Sequence, residues 1–179
     1  MANRQDEERS WKLRNRPYLY AAALALILTM FVAPEINEGN AMSPTIDNGN
    51  LVLITKEHYS AKRGIPEIGT VVVLRKDGAT EISRDNLIAR VVGLPGETVS
   101  IKSGEFYRDG TIYDVKTAKG SLGEDMEVSL GSDEVFLLCD NRDVLLDSRA
   151  PKLGPVDMEL IRGNARFVLW PISEFGGIN

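Results

Sequence analysis

The chain has 179 residues, 43% of them hydrophobic, and a formal net charge of −5. That length and apolar content suit one domain with a sizeable core. The acidic balance disfavours a nucleic-acid partner, and the single cysteine, Cys139, excludes an intramolecular disulfide. No group of His, Cys, Asp and Glu residues has the spacing of a metal site, so we expect neither a metal nor another cofactor.

The N-terminal segment predicts a membrane anchor. Residues Pro17 to Pro34, "PYLYAAALALILTMFVAP", carry no charged side chain. As a helix this stretch would rise about 27 Å, close to the roughly 30 Å of hydrocarbon in a bilayer. Basic residues precede it, including Arg14 and Arg16, and Glu35 and Glu38 follow it. By the positive-inside rule, residues 1–16 form a cytoplasmic tail, 17–34 a single transmembrane helix and 35–179 an extracytoplasmic domain.

A cleaved signal peptide is the main alternative for this segment, because it also combines a basic start with a short apolar run. The residues that follow, "FVAPEIN", have proline and glutamate where a cleavage site needs small side chains. An uncleaved anchor in contact with membrane lipid is therefore the favoured interpretation. The chain beyond the anchor is acidic, so any contact it makes with anionic lipid would have to use apolar surface.

Beyond the anchor the pattern is that of short β-strands. Segments rich in Val, Ile, Leu and Phe alternate with turn signals; they cover residues 50–55, 70–76, 86–94, 98–102, 105–113, 134–140 and 165–172. The "RDG" at 108–110 predicts a hairpin turn with a glycine at positive φ. Beyond the anchor, only residues 155–163 have a helical pattern. The basic loop 61–69 is predicted to be exposed to solvent, and the acidic stretch 121–134 is predicted to be a surface loop. The sequence thus predicts an all-β domain of coiled, mostly antiparallel strands.

Four motifs follow one another behind the apolar run. They are "GNAMSPTID" (39–47), "PEIGTVVVLR" (66–75), "IARVVGLPGETV" (88–99) and "CDNRDVLLDSR" (139–149). Together they resemble the sequence boxes of the type I signal peptidases, the membrane-bound serine proteases of family S26. The resemblance implies a mainly β, signal-peptidase/LexA-like fold, a coiled antiparallel sheet behind one transmembrane helix, in a bacterial plasma membrane. The related self-cleaving repressors share the Ser–Lys fold but lack an anchor, so the apolar run argues against them.

The resemblance also shows where this chain departs from the family. Signal peptidases use a serine nucleophile and a lysine that, when neutral, takes the serine proton. The serine corresponds to Ala41 and the lysine to Ala89. The serine that contacts the lysine corresponds to Leu145, and the first glycine of that box is Cys139. No residue of the catalytic dyad is therefore intact.

Three other residues could substitute for the missing nucleophile or base. Ser43 lies two residues after Ala41, and its simplest interpretation is an exposed turn hydroxyl. Cys139 ends an apolar run, which predicts a packed core thiol. His58, the only histidine, lies between Glu57 and Tyr59 in a loop and is expected at the surface.

The remainder of the site implied by the family is a scaffold. Gly39 and the backbone N–H of Ala41 correspond to the oxyanion hole, and Met42 and Pro44 to the turn near the membrane. The structural network of the family corresponds to Arg90, Asp140, Asn141, Arg142, Asp147, Ser148 and Arg149. If the cleft persists, it would bind an extended peptide by strand addition.

The sequence therefore predicts a signal peptidase homologue that is inactive as a protease. It would act as a binding or chaperone-like factor for signal peptides of preproteins or for secreted, pilin-like subunits. Alanine at both dyad positions is also what mutagenesis produces, so the alternative is a signal peptidase I that has been inactivated, or one that uses an unforeseen nucleophile.

Overall fold

The computed structural model describes residues 4–75, 86–115 and 120–178. The chain divides into two compact units, Met1–Ala33 and Pro34–Asn179. Residues 76–85, which include part of the predicted strand 70–76, lie outside the described residues.

The first unit is built on helix α1, Arg4–Phe31. The predicted anchor ran to Pro34, but the helix ends three residues earlier, where Val32 begins a strand and a proline disfavours helical backbone before it. About 15 residues of α1 are uncharged and continuous, which gives roughly 22 Å of apolar helix against roughly 30 Å of hydrocarbon. Within the described part of the chain, no helix reaches the combined length and apolar character that crossing a bilayer requires.

The remaining elements are short strands arranged in two sheets. The strands are β1 Val32–Ile36, β2 Leu51–Thr55, β3 Val71–Arg75, β4 Asn86–Gly93, β5 Thr98–Lys102, β6 Glu105–Arg108, β7 Thr111–Ile112, β8 Met126–Ser129, β9 Glu134–Leu138, β10 Val156–Asp157, β11 Ile161–Trp170 and β12 Gly176–Gly177. The large sheet has the order β1-β2-β11-β3-β4-β9-β10, with β12 also on β11, and the small sheet has the order β7-β6-β5-β8. The predicted mainly β, antiparallel class is confirmed.

Of two local predictions, one is confirmed and one is wrong. The predicted hairpin turn is confirmed, since Arg108 pairs with Thr111 across Asp109 and Gly110, and Gly110 has φ 74°. The predicted helix at 155–163 is wrong: these residues form β10, a 3₁₀ turn at Met158–Leu160 and the start of β11. The segment is too short to hold a helix by itself, and strand pairing provides its backbone partners.

The acidic stretch 121–134 was also predicted incompletely. It contains β8, which pairs with β5 from Thr98↔Ser129 to Ile101↔Met126. Met126 and Val128 pack against the core while Glu127 and Ser129 are exposed, so one face of a short strand is apolar. The acidic residues lie on its solvent face, in the flanking loops and, for Glu134, at the start of β9.

The core of the large sheet has a separate cluster on each face. Successive residues of a strand point to opposite faces, so on β4 Ile88 packs with Met42 and Ile46, whereas Ala89 packs with Leu137 and other apolar residues. Of the two positions that the family resemblance assigns to catalysis, Ala89 belongs to the second cluster, and Ala41 directly precedes Met42 of the first.

Candidate functional site

The turn that carries Ala41 is built around the buried side chain of Asn37. Its Nδ2 donates to the carbonyl oxygens of Gly39 at 3.2 Å, Ile46 at 3.3 Å and Asp47 at 2.9 Å. Gly39 has φ 89°, a conformation that favours glycine, and its N–H donates to Asn48 Oδ1 at 2.6 Å. The turn is therefore held from inside by one amide and depends on a glycine at its first bend.

Ala41 lies in this turn with 8% of its surface exposed. Its carbonyl oxygen accepts from the backbone N–H of Asn141 at 2.9 Å, and Asn141 Nδ2 donates to the carbonyl of Asn40 at 3.0 Å. The N–H of Ala41 has no acceptor in the described part of the chain. Met42 is completely buried and Pro44 is exposed.

Residues 139–149, which we call the strap, follow β9 and contact this turn. Its Asp140 is completely buried and forms a two-pronged ion pair with Arg90, Nε to Oδ1 at 2.8 Å and Nη2 to Oδ2 at 2.6 Å. Thr45 Oγ1 donates to the same carboxylate at 2.6 Å, and Arg90 Nη1 donates to the carbonyl of Gly69 at 2.7 Å. One carboxylate thus joins the turn, β4 and the strap.

A second buried ion pair closes the strap on itself. Asp147 accepts from Arg149 Nε and Nη2, both at 2.9 Å, and from the N–H of Cys139 at 2.9 Å. Arg149 also donates to the carbonyls of Arg142 and Val144. Charge-assisted bonds of this kind are the strong ones, so the strap is a rigid loop.

Three further strap residues have defined environments. Ser148 Oγ accepts from the N–H of Leu137 at 3.0 Å, and the N–H of Ser148 donates to the carbonyl of Leu137 at 3.0 Å. Arg142 is almost fully buried and donates to the carbonyl of Cys139; burial lowers the pKa of its guanidinium. Burial also raises the pKa of the Cys139 thiol to about 12, so it stays protonated and is a poor nucleophile at neutral pH.

Ala89 is completely buried on β4. It belongs to a hydrophobic cluster whose other buried members are Val72, Leu74, Leu87, Val91, Val135, Leu137, Val156, Met158 and Ile161. Tyr59 packs against this cluster, donates to Glu57 Oε2 at 2.7 Å and accepts from Asn164 Nδ2 at 2.7 Å. Burial and the bond to Glu57 raise its pKa to about 12, so Tyr59 cannot serve as a base at neutral pH.

The other candidates lie at or near the surface. Leu145, at the position that the resemblance assigns to the serine beside the lysine, is 61% exposed. Ser43 Oγ donates to Asp47 Oδ1 at 2.6 Å at the surface. His58 is exposed in the loop after β2. Among the described residues there is no cluster that could hold a metal ion.

One cavity of about 580 Å³ touches the network without including the two alanines. It is lined by Glu67, Ile68, Gly69, Thr70, Val71, Arg90, Val92, Tyr113, Val115, Ala165, Arg166 and Ile178. It shares with the described network Arg90 and Gly69, whose carbonyl accepts from Arg90. The peptide cleft expected from the resemblance therefore stays a prediction.

Sequence reasoning missed two residues of the site. Thr45 lies within the first motif, and its hydroxyl at the turn could have suggested a partner for the carboxylate of Asp140. Asn37 precedes the motif by two residues, and nothing in the spacing distinguishes an asparagine that spans a turn from one at the surface.

The comparisons with known proteins agree with the motifs. The family model described as "Signal peptidase, peptidase S26" matches residues 15–170. The chain belongs to this family. It is 31% identical over 172 residues to the "Probable signal peptidase I-1" of Synechocystis sp., covering 90% of this chain and 84% of the relative. It is 31% identical over 173 residues to "Signal peptidase I S" of Bacillus subtilis, covering 89% of each.

Further relatives carry similar names. "Signal peptidase IB" of Staphylococcus aureus is 29% identical over 171 residues, covering 85% of each chain. A crystal structure of a signal peptidase I from Enterococcus faecalis V583 aligns with a TM-score of 0.46 at 20% identity, covering 55% of this chain and 95% of that chain. The family assignment rests on the sequence matches.

Proposed function

We propose that this member of the signal peptidase family does not cleave preproteins and instead binds them through their signal peptides. The observation that carries the proposal is the environment of Ala89. The position is completely buried within an apolar cluster, and Tyr59, which packs against that cluster, holds its phenolic proton with a pKa of about 12. A serine protease of this type needs a base to take the proton of its nucleophile, and this cluster supplies none.

The environment of Ala41 supports the same proposal. A methyl group stands where the nucleophilic oxygen is expected, while the turn itself is kept in shape by Asn37 and by the bond from Asn141. The N–H of Ala41 has no partner in the described residues and would be available to a carbonyl oxygen of a bound peptide. The site would thus retain a means to bind the substrate backbone without a means to cut it.

The second candidate function is that of an active signal peptidase. The names of the relatives favour it, and Ser43 offers a hydroxyl bonded to a carboxylate, Oγ to Asp47 Oδ1 at 2.6 Å. We rank it second because a carboxylate is a weak base for a serine hydroxyl at neutral pH. Replacing Ser43 by alanine separates the two candidates, since only the active enzyme would lose activity.

We further propose that the protein resides at the bacterial plasma membrane, with residues 35–179 outside. Lys12, Arg14 and Arg16 precede the apolar half of α1 and support this orientation. The apolar side chains of that half are exposed, Tyr18, Leu26 and Met30 among them. Carbonate extraction should leave the full chain in the membrane fraction, and protease added to spheroplasts should remove residues 35–179. Release by carbonate, or protection of that domain, would contradict the proposed location.

Binding itself can be tested by site-specific crosslinking in the full chain. A photoreactive residue at Leu145, on the strap that contacts the Ala41 turn, should crosslink a preprotein. The same residue at Ile112 in the small sheet is the matched control, because the two side chains are equally exposed, 61% and 59%. Equal crosslinking at both positions would refute specific binding at the strap. A secreted pilin-like subunit assayed beside an ordinary preprotein shows which substrate class is preferred.

A further inference from the structure

A second pocket lies away from the candidate site. Its volume is about 430 Å³, and it is lined by His58, Tyr59, Ser60, Lys62, Arg63, Arg75 and Glu159. That volume falls within the range of roughly 300–1,000 Å³ typical of small-molecule sites. The loop 61–69 was predicted to be a solvated basic face, and its Lys62 and Arg63 are indeed exposed, but the structure gathers them around one concavity.

The charge of this pocket is opposite to that of the chain as a whole. The protein has a net charge of −5, yet Lys62, Arg63 and Arg75 face a single carboxylate, Glu159, in the pocket. Lys62 is near enough to Asp133 to help lower the pKa of that carboxyl, after the backbone N–H of Ala61 and the Ser132 hydroxyl. Neither Arg63 nor Arg75 forms an ion pair with any residue that the structure describes. As far as the described residues go, an anion bound here would therefore displace no carboxylate from either arginine.

The walls of the pocket are fixed by hydrogen bonds. Residues 60–64 form a tight turn closed by a bridge between Ser60 and Gly64, and the N–H of Arg63 donates to Ser60 Oγ at 3.3 Å. The N–H of Ala61 donates to Asp133 Oδ1 at 2.9 Å, which ties the turn to the loop before β9. Because these groups are already in place, a ligand would not have to order the turn on binding.

We propose that this pocket binds the phosphate group of a soluble ligand. Guanidinium groups match phosphate oxygens with two parallel donors, and lysine adds a point charge. Arg63 and Arg75 would supply the paired donors and Lys62 the additional charge. The proposal concerns a site separate from Ala41 and does not depend on whether that site cleaves or binds peptides.

The source of the phosphate follows from the position of the pocket on the sheet. The pocket adjoins the Thr55 end of β2, whereas the register places Trp170 opposite Leu51 at the other end. That other end carries exposed apolar side chains, Trp170 and Ile172, which suit contact with lipid. A phosphate-bearing molecule in solution therefore fits this pocket better than a lipid headgroup. This choice of source rests on the proposed membrane location.

His58 gives a direct readout, because it lines the pocket and is the only histidine of the chain. The ring-proton signals of His58 are followed by NMR in the full chain in neutral detergent micelles, at fixed pH and constant ionic strength. Adding inorganic phosphate in exchange for chloride should move these signals saturably. Arg63→Gln and Arg75→Gln should each weaken the apparent affinity about tenfold, as expected when one charge-assisted bond is lost.

Lys102→Gln is the matched control, since Lys102 is an exposed lysine paired with Glu127 in the small sheet, and it should leave the titration unchanged. A shift that grows linearly without saturation, or an unchanged affinity in both arginine variants, would overturn the site. Mixed micelles containing short-chain phosphatidylglycerol form the second arm. A saturable response to that lipid without a response to inorganic phosphate would overturn the assignment to a soluble ligand, whatever the peptide-binding assays show.

Discussion

The backbone N–H of Asn141 donates to the carbonyl oxygen of Ala41 at 2.9 Å, and its side-chain amide donates to the neighbouring carbonyl of Asn40 at 3.0 Å. Two residues far apart in the sequence are thereby fixed in the arrangement on which a catalytic turn would depend. Both bonds are accepted by backbone carbonyl groups of the turn, so they do not depend on which side chain is present at position 41. The turn can therefore keep its shape whichever small side chain occupies position 41.

The Asp140 carboxylate should be the most sensitive point of this scaffold. It is completely buried and accepts from Arg90 and Thr45. Asp140→Ala leaves the Arg90 guanidinium buried without its partner, which costs about 3–5 kcal/mol. Thr45→Val removes one hydrogen bond and should cost about 1 kcal/mol. Urea unfolding followed by tryptophan fluorescence measures both, and equal losses for the two variants would show that the ion pair is not the main contributor.

Cys139 should make the protein less stable at alkaline pH. Burial raises its pKa from 9.0 to about 12 in the folded state, so the folded protein holds this proton more tightly than the unfolded chain. The contribution of this thiol to the free energy of unfolding is therefore complete below about pH 9, and it is lost as the pH rises towards 12. Tyr59 acts in the same direction from about pH 10, because its pKa is also raised to about 12.

The variant Cys139→Ala isolates the thiol. It lowers stability at every pH through the small cavity it leaves, but the decline between about pH 9 and 10 should become shallower than in the parent protein. Thermal unfolding in a series of buffers gives the two slopes. An identical slope in parent and variant would mean that the thiol ionises as easily when folded as when unfolded.

Much of the fold could be predicted because apolar alternation and turn residues are local signals. The segment 98–102 was predicted with the bounds that β5 has, and β2, β3, β4 and β9 lie within predicted segments. The start of β11 was missed, because Arg162 and Asn164 interrupt its apolar pattern and its strand character comes from pairing with β2 and β3 on both sides. The two-residue strands β10 and β12 have too few residues to carry a pattern of their own.

The candidate site could be predicted only as a set of motifs. Their order indicated that Ala41, Arg90 and Asp140 belong to one region, and the structure joins the turn, β4 and the strap through Asp140. The exposure of Leu145 could not be predicted, since the resemblance assigned it only to the serine that contacts the lysine. The strap is closed by the buried ion pair of Asp147 and Arg149, and Leu145 lies on its exposed side. A buried ion pair of this kind produces no periodic pattern from which it could be predicted.

Gly163 should not tolerate a larger residue where β11 pairs with β2. A Cβ atom added there would lie 2.1 Å from the carbonyl oxygen of Thr55, and the strand backbone would have to move. Gly163→Ala should therefore cost more than about 2 kcal/mol, as close overpacking does. Gly176→Ala is the matched control, because the nearest atom to its added Cβ would be 3.9 Å away. Denaturant midpoints of the two variants that agree within error would contradict this account of the pairing.

Restoring the dyad should recover little activity. Ala41→Ser and Ala89→Lys should each be inactive alone, because a nucleophile and its base are both required. In the double variant the lysine would enter a close-packed apolar cluster around Leu137, at a cost of about 1–3 kcal/mol. Nothing there would aim its amine, and a misplacement of about 1 Å can cost on the order of a hundredfold in rate.

Leu145→Ser added to the double variant should change little, because that side chain is 61% exposed while Ala89 is fully buried. All variants are assayed on one preprotein, with circular dichroism to confirm folding. Efficient cleavage by Ala41→Ser alone would mean that a base other than the residue at position 89 is already present.

The central claim is tested most directly by incubating the purified full chain with a preprotein that bears a small-x-small cleavage site. The Bacillus subtilis relative, assayed at the same concentration, serves as the positive control, and Ser43→Ala as the internal one. Loss of a serine nucleophile lowers the rate on the order of a million-fold, so we predict that the preprotein stays uncut at the level of a sample without protein. Cleavage after the small-x-small site that disappears in Ser43→Ala would contradict the claim and identify Ser43 as the nucleophile.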